Sequence, residues 1–166
     1  MVDSNKWSVA LRAYESADAA ATLNIFTEAI IMTAAAHYTA EQVEAWAKPG
    51  RRDTSAWDVA MSERASVVAI HGTEVVGFSD VNEDGYIDML FVSPAFLRRG
   101  VARTLLSFIE QQSRAAGVVE LISDVSIAAR PFFESIGFGL VREQRPVIEG
   151  IELTNYRMRK DLAARA

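Results

Sequence analysis

Cysteine is absent from this chain, which removes disulfides, thiolate metal sites and a cysteine nucleophile together. Histidine is scarce: His37 and His71 are too few for a histidine-built zinc site, so no metal is expected. Basic residues are outnumbered, 17 Lys and Arg against 22 Asp and Glu, and the net charge of −5 disfavours nucleic acid and anionic membranes as partners. The aromatic and basic interleaving that single-stranded nucleic acid needs is also missing. The opening MVDSNKWSVALRAY lacks the apolar core of a signal peptide, and no apolar run reads as long enough to span a bilayer. Repeats, low-complexity tracts and linkers are lacking as well. What remains is a cytoplasmic globular protein with no membrane attachment, one domain over residues 1–166.

What is present is alternating periodicity. WSVALRAY sets Val9, Leu11 and Ala13 against polar neighbours, a first strand. Ser16 or Asp18 can cap a helix running through Leu23, Ile25, Phe26, Ile30 and Met32. In HYTAEQVEAWAKPG, Thr39 and Gln42 form a capping box and Pro49-Gly50 end a second, short helix. SVVAIHGTEVVGFSDV reads as a hairpin turning near His71-Gly72, and GYIDMLFV as a strand closed by Pro94. A helix then runs to Gly117, followed by the strand VVELISDVS and a short helix in AARPFFESIG. A last hairpin turns around Glu149-Gly150. The predicted order is β-α-α-β-β-β-α-β-α-β-β, an α/β domain.

The long helix begins against the usual rules. FLRRGVARTLLSFIE, residues 96–110, places Val101, Leu105, Phe108 and Ile109 on one face, with Gln112 continuing it. Yet Arg98, Arg99 and Gly100 stand where Asp, Ser or Thr would normally cap the helix. Positive side chains there oppose the helix macrodipole. A bound phosphate resolves the conflict. The first backbone N–H groups of a helix lack helical partners and form an anion site. Glycine permits close approach, and arginines add charge and forked hydrogen bonds. The plain alternative is a solvated turn. The spacing fits neither a P-loop nor G-x-G-x-x-G, which disfavours nucleoside triphosphates and dinucleotides.

Here the chain resembles a known family. IDMLFVSPAFLRRGVARTLL, residues 87–106, is similar to the acetyl-CoA signature of the GNAT superfamily of N-acetyltransferases, a strand followed by Gln/Arg-x-x-Gly-x-Gly/Ala and a helix. Gly100 and Ala102 match its small positions, while Leu97 stands where Gln or Arg is usual. SIAARPFFESIGF, residues 126–138, resembles the second signature, Asn-x-x-Ala-x-x-Phe-Tyr-x-x-x-Gly-Phe. Ala129, Phe132, Gly137 and Phe138 match; Ser126 replaces the Asn and Phe133 the Tyr. With HYTAEQVEAW and LTNYRM, the whole chain resembles a subgroup of uncharacterised bacterial acetyltransferases.

The resemblance implies an α/β (α+β) fold: a mixed, mostly antiparallel sheet of six to seven strands, splayed in the middle and flanked by about four helices. It implies acetyl-CoA as co-substrate and direct transfer to a primary amine of a small molecule or peptide. The donor would lie along Leu90, Phe91 and Val92, with its pyrophosphate on Arg98, Arg99, Gly100, Val101, Ala102 and Arg103. Ser126 and Phe133 complete the cofactor set. Asp88, a lone carboxylate in an apolar strand, is the expected general base, the alternatives being a solvent-facing group or an arginine-paired one. Asp124 is a weaker candidate. Because Phe133 has no proton to give a departing thiolate, either Ser126 or Tyr156 serves, or water does. His37, Tyr38 and Asp88 are the expected acceptor contacts, and Trp46 and Trp57 candidates for the same wall. The second reading is a non-catalytic acyl-CoA-binding module, which the missing tyrosine favours. Homodimerisation through the last hairpin is a further expectation, and the net acidic charge points weakly to cationic amines.

Overall fold

The computed structural model describes residues 7–163. Strand β1 (Ala10–Ala13) leads through a single 3-10 turn into helix α1 (Ala19–Met32). Asp18 fixes that junction: it takes the Glu15 N–H at 2.9 Å and a forked pair of bonds from Arg12 at 2.7 and 2.9 Å. Helices α2 (Ala40–Ala47) and α3 (Thr54–Glu63) follow, and α2 starts at the expected capping box of Thr39 and Gln42. Helix α3 is a correction to the predicted order. Its Asp53 cap accepts from the Ser55 and Ala56 N–H groups, and it buries Trp57 and Met61, one helical turn apart.

The strands are β2 (Val67–His71), β3 (Glu74–Ser79), β4 (Tyr86–Ile87) and β5 (Leu90–Val92). After helix α4 (Val101–Ala115) come β6 (Glu120–Ser126), helix α5 (Arg130–Ser135), β7 (Gly139–Gln144), the ribbon β8 (Val147–Ile148) and β9 (Ile151–Glu152), and β10 (Asn155–Asp161). Apart from the ribbon, they form two sheets. The first runs β1-β2-β3-β5, all antiparallel; the second runs β4-β6-β10-β7, with β4 parallel to β6. Among the described residues, counting β4 and β5 as one broken strand gives seven strands plus the ribbon, with five α-helices. The ribbon turns at Glu149-Gly150, whose φ values of 50° and 78° are both left-handed, as a two-residue hairpin turn requires.

Helices α1 and α3 cover one face of the first sheet, where Phe26, Ile30, Trp57 and Met61 meet Val68 and Phe78. Helix α4 lies beneath the opposite face and reaches both sheets. Its Val101 and Leu105 pack on Val67, Ala69 and Val76 of the first; its Leu106 and Ile109 pack on Ile87, Leu121 and Met158 of the second. The approach is close at Gly77, where a Cβ would come within 2.9 Å of the Val101 side chain.

The helical run Ser16–Ala36 is long and apolar enough to cross a membrane by length and composition, with mean hydropathy 1.4, which corrects the expectation that no such run exists. Here its Ile25, Phe26, Ile30 and Ala34 are part of the core.

Candidate active site

The broken strand makes the site. Tyr86 and Ile87 pair in parallel with Ile122 and Ser123; beyond them β5 turns to β3, matching Leu90 with Ser79 and Val92 with Gly77. Side chains replace the missing ladder bonds at the break. Ser123 Oγ donates to the Ile87 carbonyl at 2.9 Å, and Ser79 Oγ to the Met89 carbonyl at 2.7 Å. Asp80 Oδ1 accepts from the Asp88 and Met89 N–H groups at 2.8 and 3.4 Å. From this point β5 and the end of β6 have no strand between them.

Two cavities meet at the split. The larger, about 460 Å³, runs from α1 across Leu90, Phe91 and Val92 to Leu97, Arg98 and residues 100–103 at the head of α4. No side chain caps that helix, and Gly100 precedes it with φ 82°. Its first N–H groups therefore point into the cavity unpartnered by any described side chain, with Arg98 and Arg103 alongside, which is the chemistry of an anion site. The smaller cavity, about 370 Å³, is walled by Tyr38, Trp46 and Arg52, by Tyr86, Asp88 and Met89, by Asp124 and Phe133, by Ile148 of the ribbon and by Leu153 just after it. Trp46, Leu90, Phe91, Ser126 and Ala129 line both.

The carboxylates here differ in what holds them. Asp88 pairs with Arg64 at 3.1 Å, so the arginine-paired alternative is realised in a residue that also lines the smaller cavity. Asp124 is committed: Arg157 grips it through two bonds at 2.9 and 3.0 Å, and Gln144 and Tyr86 donate to it at 2.8 and 3.0 Å. Burial pushes its carboxyl up, but the Arg157, Gln144 and Tyr86 hydrogen bonds outweigh that and leave it below the ordinary range. The same burial, with Asp124 beside it, raises the Tyr86 phenol. Asp80 is 3 % exposed and its Oδ2 has no partner; burial drives its carboxyl up to about 6 against the pull of its two backbone bonds.

The structure gathers most of the expected residues and leaves some aside. Leu90, Phe91, Val92, Arg98, Gly100, Val101, Ala102, Arg103 and Ser126 line the larger cavity. Arg99 does not: its guanidinium lies 4.8 Å over the Trp7 ring, whose indole N–H donates to the Arg99 carbonyl at 2.9 Å. Phe133 lies on the smaller cavity. Tyr38 is there too, buried, donating to the Thr154 carbonyl at 2.6 Å and accepting from the Ile127 N–H at 3.1 Å. His37 is exposed and lines neither cavity. Tyr156 also lines neither, its ring 4.5 Å from the Arg130 guanidinium. Trp57 is core. Sequence reasoning overlooked Arg52, Tyr86 and Asp80, whose positions depend on strand pairings and packing that no local pattern encodes.

A family model described as an acetyltransferase (GNAT) domain matches residues 34–160. The chain is 40% identical over 153 residues to YafP of Escherichia coli (strain K12), an uncharacterized N-acetyltransferase, covering 92% of this chain and 95% of that protein. Among solved structures, a GCN5-related N-acetyltransferase from Rhodopseudomonas palustris superposes with a TM-score of 0.88 at 33% identity, covering 93% of this chain and 96% of that one. The PaiA N-acetyltransferase of Thermoplasma acidophilum, solved with coenzyme A, has a TM-score of 0.75 at 16% identity, covering 93% and 99%, and shares the fold. The chain belongs to the GNAT family of acetyl-CoA-dependent N-acetyltransferases.

Proposed function

We propose that this enzyme passes the acetyl group of acetyl-CoA directly to a primary amine of a small molecule or peptide, with the donor in the larger cavity and the acceptor in the smaller. The junction carries this reading: residues shared by the two cavities sit where the strand splits, so a thioester from one side meets an amine from the other. The pantetheine arm lies against the backbone edge of Leu90, Phe91 and Val92. The pyrophosphate rests on the free N–H groups of residues 100–103, with Arg98 and Arg103 beside it. Arg99 contributes its backbone alone, since its side chain is committed to Trp7.

In the reaction the amine nitrogen bonds to the thioester carbonyl carbon. The C–S bond then breaks and the thiolate leaves with its electron pair. Asp88 takes the proton from nitrogen, directly or through one water, while Arg64 fixes the position of its carboxylate. With no cysteine in the chain, no cysteine acyl-enzyme forms. Phe133 has no proton for the thiolate and Tyr156 lines neither cavity, so Ser126, which lines both, is the hydroxyl assigned to serve, with water as the alternative. A thiol of pKa about 8.5 needs little help to leave. Tyr38 and Asp88 contact the acceptor; His37 stands outside. The reading extends to a cytoplasmic homodimer, supported by the burial of Ile25, Phe26 and Ile30 of α1 in the core and by exposed Leu140 and Val141 on the edge strand β7.

The test is thiol release from acetyl-CoA across a panel of amines, with donor affinity measured by calorimetry. Asp88→Asn should lower kcat by about a hundredfold or more while acetyl-CoA binds normally. Full turnover of that variant over the pH range would remove Asp88 from the role. Arg98→Glu should abolish acetyl-CoA binding, and unchanged affinity would refute the anion site.

A further inference from the structure

Arg52 is the one cationic side chain on the wall of the smaller cavity among the described residues. It follows α2, and its Nε and Nη2 donate to the carbonyls of Ala47 and Trp46 at 3.2 and 2.8 Å, the last carbonyls of that helix. Its guanidinium lies 4.7 Å from the centre of the Phe26 ring. These contacts hold the head group still but occupy only two of its five N–H donors.

No described carboxylate lies within ion-pair distance of Arg52. The acids around it are engaged elsewhere: Glu149 with Arg51 at 3.3 Å and Lys48 at 3.7 Å, and Glu44 with Arg51 at 3.7 Å. The two carboxylates lining the same cavity, Asp88 and Asp124, have Arg64 and Arg157. A half-buried guanidinium left without a counter-ion is unfavourable unless something supplies one. Burial also weakens its hold on its proton, a loss that the charge of Glu149, beyond ion-pair distance, offsets only in part.

We infer that Arg52 is the specificity determinant for the acceptor, which is a small zwitterion: an amine carrying a carboxylate, with the carboxylate on Arg52 and the amine toward Asp88. The inference rests on the transferase reading of this site. It names an acceptor class that net charge alone would not select, since an acidic chain of net charge −5 disfavours anions everywhere except at such a point. The fork geometry of arginine suits a carboxylate, and the flanking Phe26 and Trp46 give the carbon skeleton between the charges an apolar wall. The donor's phosphates do not compete for Arg52, because Arg52 is absent from the lining of the larger cavity.

Arg52 also caps α2, so a loss of activity in a variant would not by itself separate the two roles. The test therefore measures a ratio. Amino acids and ω-amino acids are assayed for acetylation, each beside its carboxamide, in the wild type and in Arg52→Gln and Arg52→Lys. The expected result is a carboxylate-to-carboxamide ratio in kcat/KM of about tenfold to a hundredfold in the wild type, collapsing toward one in Arg52→Gln and falling partway in Arg52→Lys. The change should lie in KM, while melting temperature falls alike in both variants. A purely capping role would lower both substrates together and leave the ratio intact, which overturns the inference. Acids that do not react are scored by thermal shift in the presence of acetyl-CoA. Acetylation of carboxamides or plain amines, with no carboxylate reacting or binding, overturns it too. Failure of acetyl-CoA itself to bind in calorimetry would instead bring down the transferase reading beneath it.

Discussion

Replacing Asp80 by asparagine should stabilise this protein, and by more as the pH rises. Asp80 sits at the end of β3 with Oδ1 on the two N–H groups at the strand break and Oδ2 unpartnered. Burial is the main reason its carboxyl titrates near 6 rather than 3.8; the charge of Asp88 adds to this, while its backbone bonds and Arg64 oppose it. The sign follows from linkage. A carboxyl whose folded pKa lies above its unfolded value contributes stability below pH 3.8, and that contribution is lost as the pH rises through about 6. A shift of about 2.2 units at 1.36 kcal/mol per unit is about 3 kcal/mol. For a chain of 166 residues that corresponds to about 6–12 °C in Tm. Asparagine keeps the accepting oxygen and removes the ion. Thermal melts of both proteins from pH 4 to pH 8 should coincide at the acid end and separate through pH 6, the variant being the more stable above it. A pH-independent gap, or an asparagine variant less stable at pH 8, would refute the reasoning and mean that the ion is satisfied at the break.

Asp18 should behave in the opposite sense. Its hydrogen bonds from Arg12, chiefly, hold its carboxyl below 3.8, so it stabilises above that value and the benefit is lost as the pH falls through its folded pKa. Asp18→Asn should therefore cost about 1–3 kcal/mol at pH 7 and progressively less in acid, read by urea melts. Gly100→Ala should cost only about 1 kcal/mol of stability, since its Cβ would meet nothing within 4 Å and only φ 82° is strained. Acetyl-CoA affinity should nevertheless fall more than tenfold in calorimetry, because the proposed donor site puts the phosphates in that open space; an unchanged affinity would count against the anion site. Phe133→Tyr puts a hydroxyl on a ring lining the smaller cavity and should raise kcat several-fold, measured by thiol release. An unchanged kcat would show that thiolate protonation is not slow.

The elements that were legible in the sequence announced themselves locally. Thr39 and Gln42 cap α2 as their spacing demands, Glu149-Gly150 turn as a left-handed pair must, and the missing acidic cap on α4 corresponds to free amides facing a cavity. Helix α3 had signals too, Asp53 as cap and Trp57 with Met61 one turn apart, but two arginines and the polar stretch before it read as loop. What stayed hidden depends on residues far apart in the chain. Asp80 matters because the chain leaves β6 after β4, eight residues later, and Arg99 is withdrawn from the cavity by Trp7, 92 positions earlier. Asp88 could be selected by its alternation with apolar neighbours, yet Arg64, which pairs with it, comes from the end of α3, in the stretch read as loop.

The gap between β5 and β6 has a consequence for how the fold is completed. Each of these strands offers a row of peptide groups to an empty lane between the two sheets: β5 is the rim of the first, and β4, the neighbour of β6, ends before the lane begins. The described strands thus leave one lane of the hydrogen-bond lattice open, and under the proposed function the amide-bearing donor would occupy it as a temporary strand. Occupancy should be visible as slowed amide exchange confined to residues 90–92 and 124–126, making the cofactor as much a piece of secondary structure as a reagent.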